Sequence, residues 1–158
     1  VDGADSVVPM DSMLGSMISF AATGEIGAFR IGMAGEEADR LLGGGTGLAD
    51  GPVGFKDGSL EVWVDRDLTV CLLGYDAVDV EGRFARAGGQ EPIEAPSREV
   101  LIDGLEQRGC AWRQYDALTF DDQLAIRTEA GVSVVFTRRA PGTSGWVTAS
   151  LYRSPDRP

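Results

Sequence analysis

The segment GFKDGSLEVWVDRDLTVCLLGYD, Gly54 to Asp76, constrains the fold more than any other part of the chain, because it sets two turn signals between apolar runs. Lys56-Asp57-Gly58-Ser59 reads as a first turn and Asp65-Arg66-Asp67 as a second, which predicts an antiparallel meander. Within Leu60 to Val64 the side chains alternate: Leu60, Val62 and Val64 point to one face, Glu61, Trp63 and Asp65 to the other. Trp63 thus stands between two carboxylates on the polar face, where a large aromatic is out of place unless something desolvates it. The next run, Leu68 to Tyr75, is apolar on both sides and predicts a central strand.

Helical spacing frames this meander. Met13, Leu14, Met17, Ile18 and Ala21 form one apolar stripe on a helix capped by Asp11 and ended by Gly24, with the methionines as core filler. Ile26, Phe29 and Ile31 predict a short extended entry and Gly32 a turn. Gly35 to Leu42 then predicts a two-turn helix with Ala38, Leu41 and Leu42 inward. Glu36 and Glu37 sit in its first turn, where the helix dipole favours carboxylates, and glycines 43–45 follow the helix instead of leading into it. The stretch is therefore a scaffold turn and not a phosphate loop.

Residues 81–97, EGRFARAGGQEPIEAPS, are rich in glycine and proline without periodicity and predict a linker. Ser97 then caps a helix through Arg108, with Val100, Leu101 and Leu105 inward and Gly109 as the stop. Four strand-like runs follow, AWRQYD, LAIRTEAG, VSVVFTRR and WVTASLYR, joined by turns such as Glu129-Ala130-Gly131 and Pro141-Gly142. The expectation is an α+β fold with short helices packed on an antiparallel sheet. Two approximate helix-plus-meander repeats, residues 10–80 and 98–153, join through 81–97 and pack as one compact domain. A chain of 158 residues with 43% hydrophobic content can bury such a core.

Chemistry is constrained by what the chain lacks. It has no histidine, which removes the commonest general base, the commonest transition-metal ligand and every Ser-His or Cys-His nucleophile. Cys71 and Cys110 have no CxxC or Cys/His company, so they read as buried free thiols. Asp65/Asp67 and Asp121/Asp122 lack calcium-loop spacing and read as turn caps. No serine sits in a GxSxG elbow, and Tyr75, Tyr115 and Tyr152 fall in strands as half-buried packing residues with solvated hydroxyls. No catalytic residue, metal or cofactor is expected.

The net charge of -11 is concentrated: residues 1–80 carry 14 acidic and 4 basic side chains, residues 81–158 carry 11 and 10. This balance repels nucleic acid and steers a basic protein partner. No apolar run approaches about 18 residues, and the start VDGADSVVPM is acidic where a secretory signal is basic, so a cytoplasmic chain without a membrane span is expected.

Ile31-Gly32-Met33, Glu36-Glu37 and Leu42-Gly43, followed by a loop and antiparallel strands, resemble the beta-lactamase-inhibitor-protein-like and SmpA/OmlA-like superfamily over Asp11 to Asp76. Ala34 stands where that pattern has a capping Ser or Thr, and Ala38 where it has Val. The resemblance implies a binding scaffold and not an activity: secreted inhibitors, outer-membrane assembly factors and actinobacterial immunity-type proteins share it. The lipobox and the four cysteines of two of those branches are missing here.

The resulting expectation is a non-catalytic, immunity-type inhibitor that neutralises a basic toxin or enzyme through an acidic sheet face. Trp63 is the desolvated anchor, Glu61, Asp65 and Asp67 are its charged surround, and Tyr75 and Asp76 lie nearby. The alternatives are a small-ligand-binding protein or enzyme with a pocket between sheet and helices, and a self-associating structural module.

Overall fold

The computed structural model describes residues 12–88, 91–138 and 145–155. Its element order is α1 (Met13–Thr23), α2 (Gly35–Leu41), β1 (Val53–Asp57), β2 (Leu60–Val64), β3 (Val70–Asp76), α3 (Arg98–Gln107), β4 (Trp112–Gln114), β5 (Gln123–Thr128), β6 (Ser133–Arg138) and β7 (Trp146–Arg153), with a 3-10 turn at Asp116–Leu118. The fold is α+β, with the helix-plus-meander order expected for each half.

Both halves share one seven-stranded antiparallel sheet, in the order β1-β2-β3-β7-β6-β5-β4. The seam is the antiparallel pairing of β3 with β7, the last strand of each half, through Leu73–Arg153, Gly74–Tyr152, Tyr75–Leu151 and Asp76–Ser150. β3 lies inside the sheet, as its two-sided apolar character requires. Two bulges bend the ladder: Trp63 pairs with Leu72 and Val64 with Val70, leaving Cys71 extra, and Val135 pairs with Ser150 and Phe136 with Thr148, leaving Ala149 extra.

One face of the sheet buries the core against the helices. Val62, Val64, Leu73, Val134, Phe136 and Leu151 are all closed to solvent there, together with Met17, Ile18 and Phe20 of α1 and Leu101 and Leu105 of α3. Gly104 lets α3 approach α1 closely, since a Cβ at this position would lie 2.9 Å from Ile18 Cγ1. The cap of α1 is Ser12, whose hydroxyl oxygen accepts from the Gly15 N–H at 2.9 Å; Asp11, read as the cap, lies outside the described residues. Gly24 ends the helix in the left-handed conformation at φ 77°. Ser97 caps α3 as expected, accepting from Val100 N–H. The Pro141-Gly142 turn also lies outside the described residues.

Two inward assignments and one strand assignment are corrected. Leu41 and Val100, placed inward by helical spacing, are 45% and 44% exposed, because each lies at the border of its apolar stripe. Tyr115 falls just past β4, at the N-cap of the 3-10 turn.

Residues 81–97 are more than a linker. Phe84 is fully buried and forms a bridge with Ile93. The Ser59 hydroxyl accepts from Ala85 N–H at 2.9 Å, Ser97 bridges Val147 beyond the end of β3, and Pro96 O accepts from both the N–H and the hydroxyl of Thr148. The segment is a strap that closes one end of the core. Leu48, in the glycine-rich loop before β1, is likewise fully buried, and its carbonyl oxygen passes so close to Gly35 that no side chain fits there.

Phe84→Ala tests the strap. It should cost about 3–5 kcal/mol in urea unfolding, as for a large core side chain. Val80→Ala, four residues earlier at 97% exposure, should stay within about 0.5 kcal/mol.

Candidate binding face on the open side of the sheet

The three helices lie on one side of the sheet, and the other side carries a single cross-strand row that spans all seven strands. Reading the pairings across gives Lys56, Glu61, Gly74, Tyr152, Ser133, Arg127 and Arg113, each the direct neighbour of the next. Alternation puts this row on the face opposite Val62, Leu73 and Leu151.

In the β1–β2–β3–β7 half, Glu61 organises the surface. Its Oε2 accepts from the indole Nε1–H of Trp63 at 2.6 Å and its Oε1 from the hydroxyl of Tyr152 at 2.8 Å. The two glycines make the geometry possible. A Cβ at Gly54 would stand 2.6 Å from Trp63 Cδ2, and one at Gly74 would stand 2.6 Å from Tyr152 Cδ1, so each aromatic lies flat over a glycine. A charged acceptor with two fixed donors loses much of its rotamer freedom, and both rings are held in place. Burial pushes the Tyr152 hydroxyl well above its ordinary pKa, and its hydrogen bond to Glu61 and the Asp76 carboxylate push the same way. This hydroxyl therefore keeps its proton and donates it to Glu61.

Trp63 remains 44% exposed and walls a groove of about 490 Å³ lined by Asp65, Cys71, Leu72, Ser154 and Pro155. Lys56 Nζ lies 3.9 Å from Asp76 Oδ2 across half-exposed side chains, a weak surface pair.

The other half of the row is basic. Arg127 donates from Nε and Nη2 to the Ser133 hydroxyl at 3.3 and 3.2 Å, and its guanidinium lies 4.3 Å from the Tyr115 ring centroid. Arg113, its direct cross-strand neighbour, lies 5.9 Å from the same centroid. Like charges placed opposite one another are destabilising, and the shared π face offsets part of that cost. The open face is therefore divided by charge, not uniformly acidic.

The residues singled out from sequence separate into three groups. Glu61, Trp63 and Asp76 meet on the open face. Asp65 and Asp67 lie at the β2–β3 turn, where the Asp65 Oδ1 accepts from Asp67 N–H, Thr69 N–H and the Thr69 hydroxyl, so that Asp65 serves the turn. Tyr75 belongs to the opposite face: it is 6% exposed, with its ring edge-on to Phe20 at a centroid distance of 5.7 Å. Beside it a cavity of about 410 Å³ is lined by Ser16, Ser19, Glu25, Leu60 and Arg86, among others. Cys110 is buried and Cys71 half-buried, both free, and burial raises both thiols. Asp121 and Asp122 fall in the tight turn bracketed by the Phe120–Gln123 bridge.

Sequence reading missed Tyr152, Arg113 and Arg127. The alternation of WVTASLYR and LAIRTEAG places them on one side of their strands. Only the long-range register sets them in line with Glu61.

Two measurements test these tyrosines. Tyr152→Phe removes the donor to Glu61 Oε1 and should lower stability by about 1 kcal/mol in urea unfolding. For Tyr75, burial raises the hydroxyl from 10.0 to about 12. The unfolded chain then releases this proton first, so the contribution to stability is complete below about pH 10 and is lost as pH rises through about 12. In Tyr75→Phe, the fall of the urea midpoint across that window should shrink by one proton's slope.

The chain matches no family model, no curated protein and no solved structure, so its role rests on the chemistry of this face.

Proposed function

We propose that the protein is a non-catalytic binding protein that uses the open face of its sheet, with Trp63 as the anchor, to engage and inhibit another protein in the manner of an immunity protein. The observation that carries this reading is the fixed but exposed indole of Trp63, held by Glu61 and beside a groove able to accept a partner's side chain. Aromatic anchors of this kind concentrate binding energy, and truncating one costs about 2 kcal/mol or more. Held rings also limit the entropy lost on association.

A basic partner fits the concentration of carboxylates in residues 1–80, which steers association at long range. In contact, the divided charge of the face favours a partner that places a cation near Glu61 and Asp76 and a carboxylate near Arg127. A second reading, small-ligand binding, is favoured by the cavity beside Tyr75 and Ser16; a metabolite that raises the melting temperature and loses that effect in Tyr75→Phe would support it.

The test is capture from a lysate of the source cells with the wild-type chain and a Trp63→Ala bait whose fold is verified by circular dichroism. A basic protein retained near stoichiometry by the first, released by salt and lost by the second is the expected result. Equal retention by both baits, or no specific retention, overturns the reading.

A further inference from the structure

The row of paired residues across the open face has a polarity that a second copy of the chain would complement. β7 is the middle strand of the seven. A two-fold axis lying along β7 within an interface between two open faces reverses the strand order of one copy over the other, so that β2 stands over β5 and β1 over β4. Such an axis leaves position along the strands unchanged. Because Glu61 and Arg127 belong to one row, Glu61 of each copy then lies over Arg127 of the other, and the two Tyr152 side chains meet at the axis.

Trp63, two residues along β2, comes level with Glu129, two residues along β5. Here the surface has a hollow of about 260 Å³ whose lining includes Ala111, Arg113, Arg127 and Glu129. An indole set over that hollow meets two guanidinium groups with which its π face interacts favourably. Among the described residues, neither Arg113 nor Arg127 has a carboxylate within ion-pair distance, so the second copy's Glu61 adds a counter-ion without breaking one.

We infer that the protein forms an isologous homodimer through its open sheet faces, with Glu61 of each copy against Arg127 of the other. This goes beyond the reading of an inhibitor: the dimer would hide Trp63, and a heterologous partner would compete with the second copy for the same face. The size is adequate. Six inter-strand spacings of about 4.8 Å and about six residues of 3.3 Å give roughly 600 Å² per copy, and twice that reaches the lower range of specific interfaces. The net charge of -11 on each chain opposes association at long range. At about 150 mM salt, screening confines that repulsion to about 8 Å, and the contacts decide.

A charge exchange tests this by sedimentation velocity in about 150 mM salt, over about 1 to 200 µM chain. The wild type should sediment as a concentration-dependent dimer. Glu61→Arg and Arg127→Glu, each checked for folding by circular dichroism, should each be monomeric or at least about tenfold weaker in association. An equimolar mixture of the two should form a heterodimer, since each contact then again pairs opposite charges. If one variant does not fold, the other alone still reads the contact. A wild type monomeric throughout, a dimer unaffected by either variant, or a mixture that remains monomeric while both variants are folded overturns the proposal. Capture of a heterologous partner is read separately, by retention of a basic protein on the Trp63 bait, so a chain that stays monomeric overturns the dimer and leaves that reading standing.

Discussion

The pairing of β3 with β7 is the constraint on which the remainder of the molecule depends. Without it the chain would be two short meanders, each with an exposed strand edge and half a hydrophobic face; with it, one sheet presents a continuous apolar surface to all the helices. The seam leaves no space for a side chain at Gly74, whose missing Cβ would run into the Leu151 carbonyl and the Tyr152 ring. The same glycine therefore permits the seam and clears the path by which the Tyr152 hydroxyl reaches Glu61. Fold and face are fixed at one position.

Much of the architecture is readable from local patterns, because helices and strands with one buried face advertise their period. Alternation from Leu60 to Val64 places Trp63 and Glu61 on the outward side, and the caps Ser97, Gly24 and Gly109 bound their helices where expected. Phe84 and Leu48 carry no such signal: each is a lone apolar residue among glycines and prolines, and its burial is decided by what the chain packs against. Tyr75 shows a different limit. In a strand that is apolar on both sides, alternation cannot assign a face, and the bulge at Cys71 shifts the phase between Val70 and Leu73. The row from Lys56 to Arg113 was unreadable for the most basic reason, that register between distant strands is set by the whole sheet.

The charge of the molecule has to be considered at two scales. At long range the acidic excess in residues 1–80 sets the field that a diffusing partner feels, while at contact the face offers Glu61 and Asp76 on one side and Arg113 and Arg127 on the other. Composition predicts the first and is silent on the second. Specificity at such a face comes from the order of charges along a row more than from their sum.

The seam also fixes the order in which the protein can mature during synthesis. β3 ends at Asp76, and its partner begins at Trp146. At about 5–20 residues per second, a ribosome takes roughly 4–14 s to make the intervening chain. Throughout that interval the edge of β3 destined for β7 has no partner, and the apolar side of β1, β2 and β3 has only α1 and α2 to cover it. The strap that bridges Val147 must wait as well. The first half therefore carries an open strand edge for as long as the second half takes to be made, and slower synthesis between the halves would prolong the period in which that edge can pair with the wrong strand.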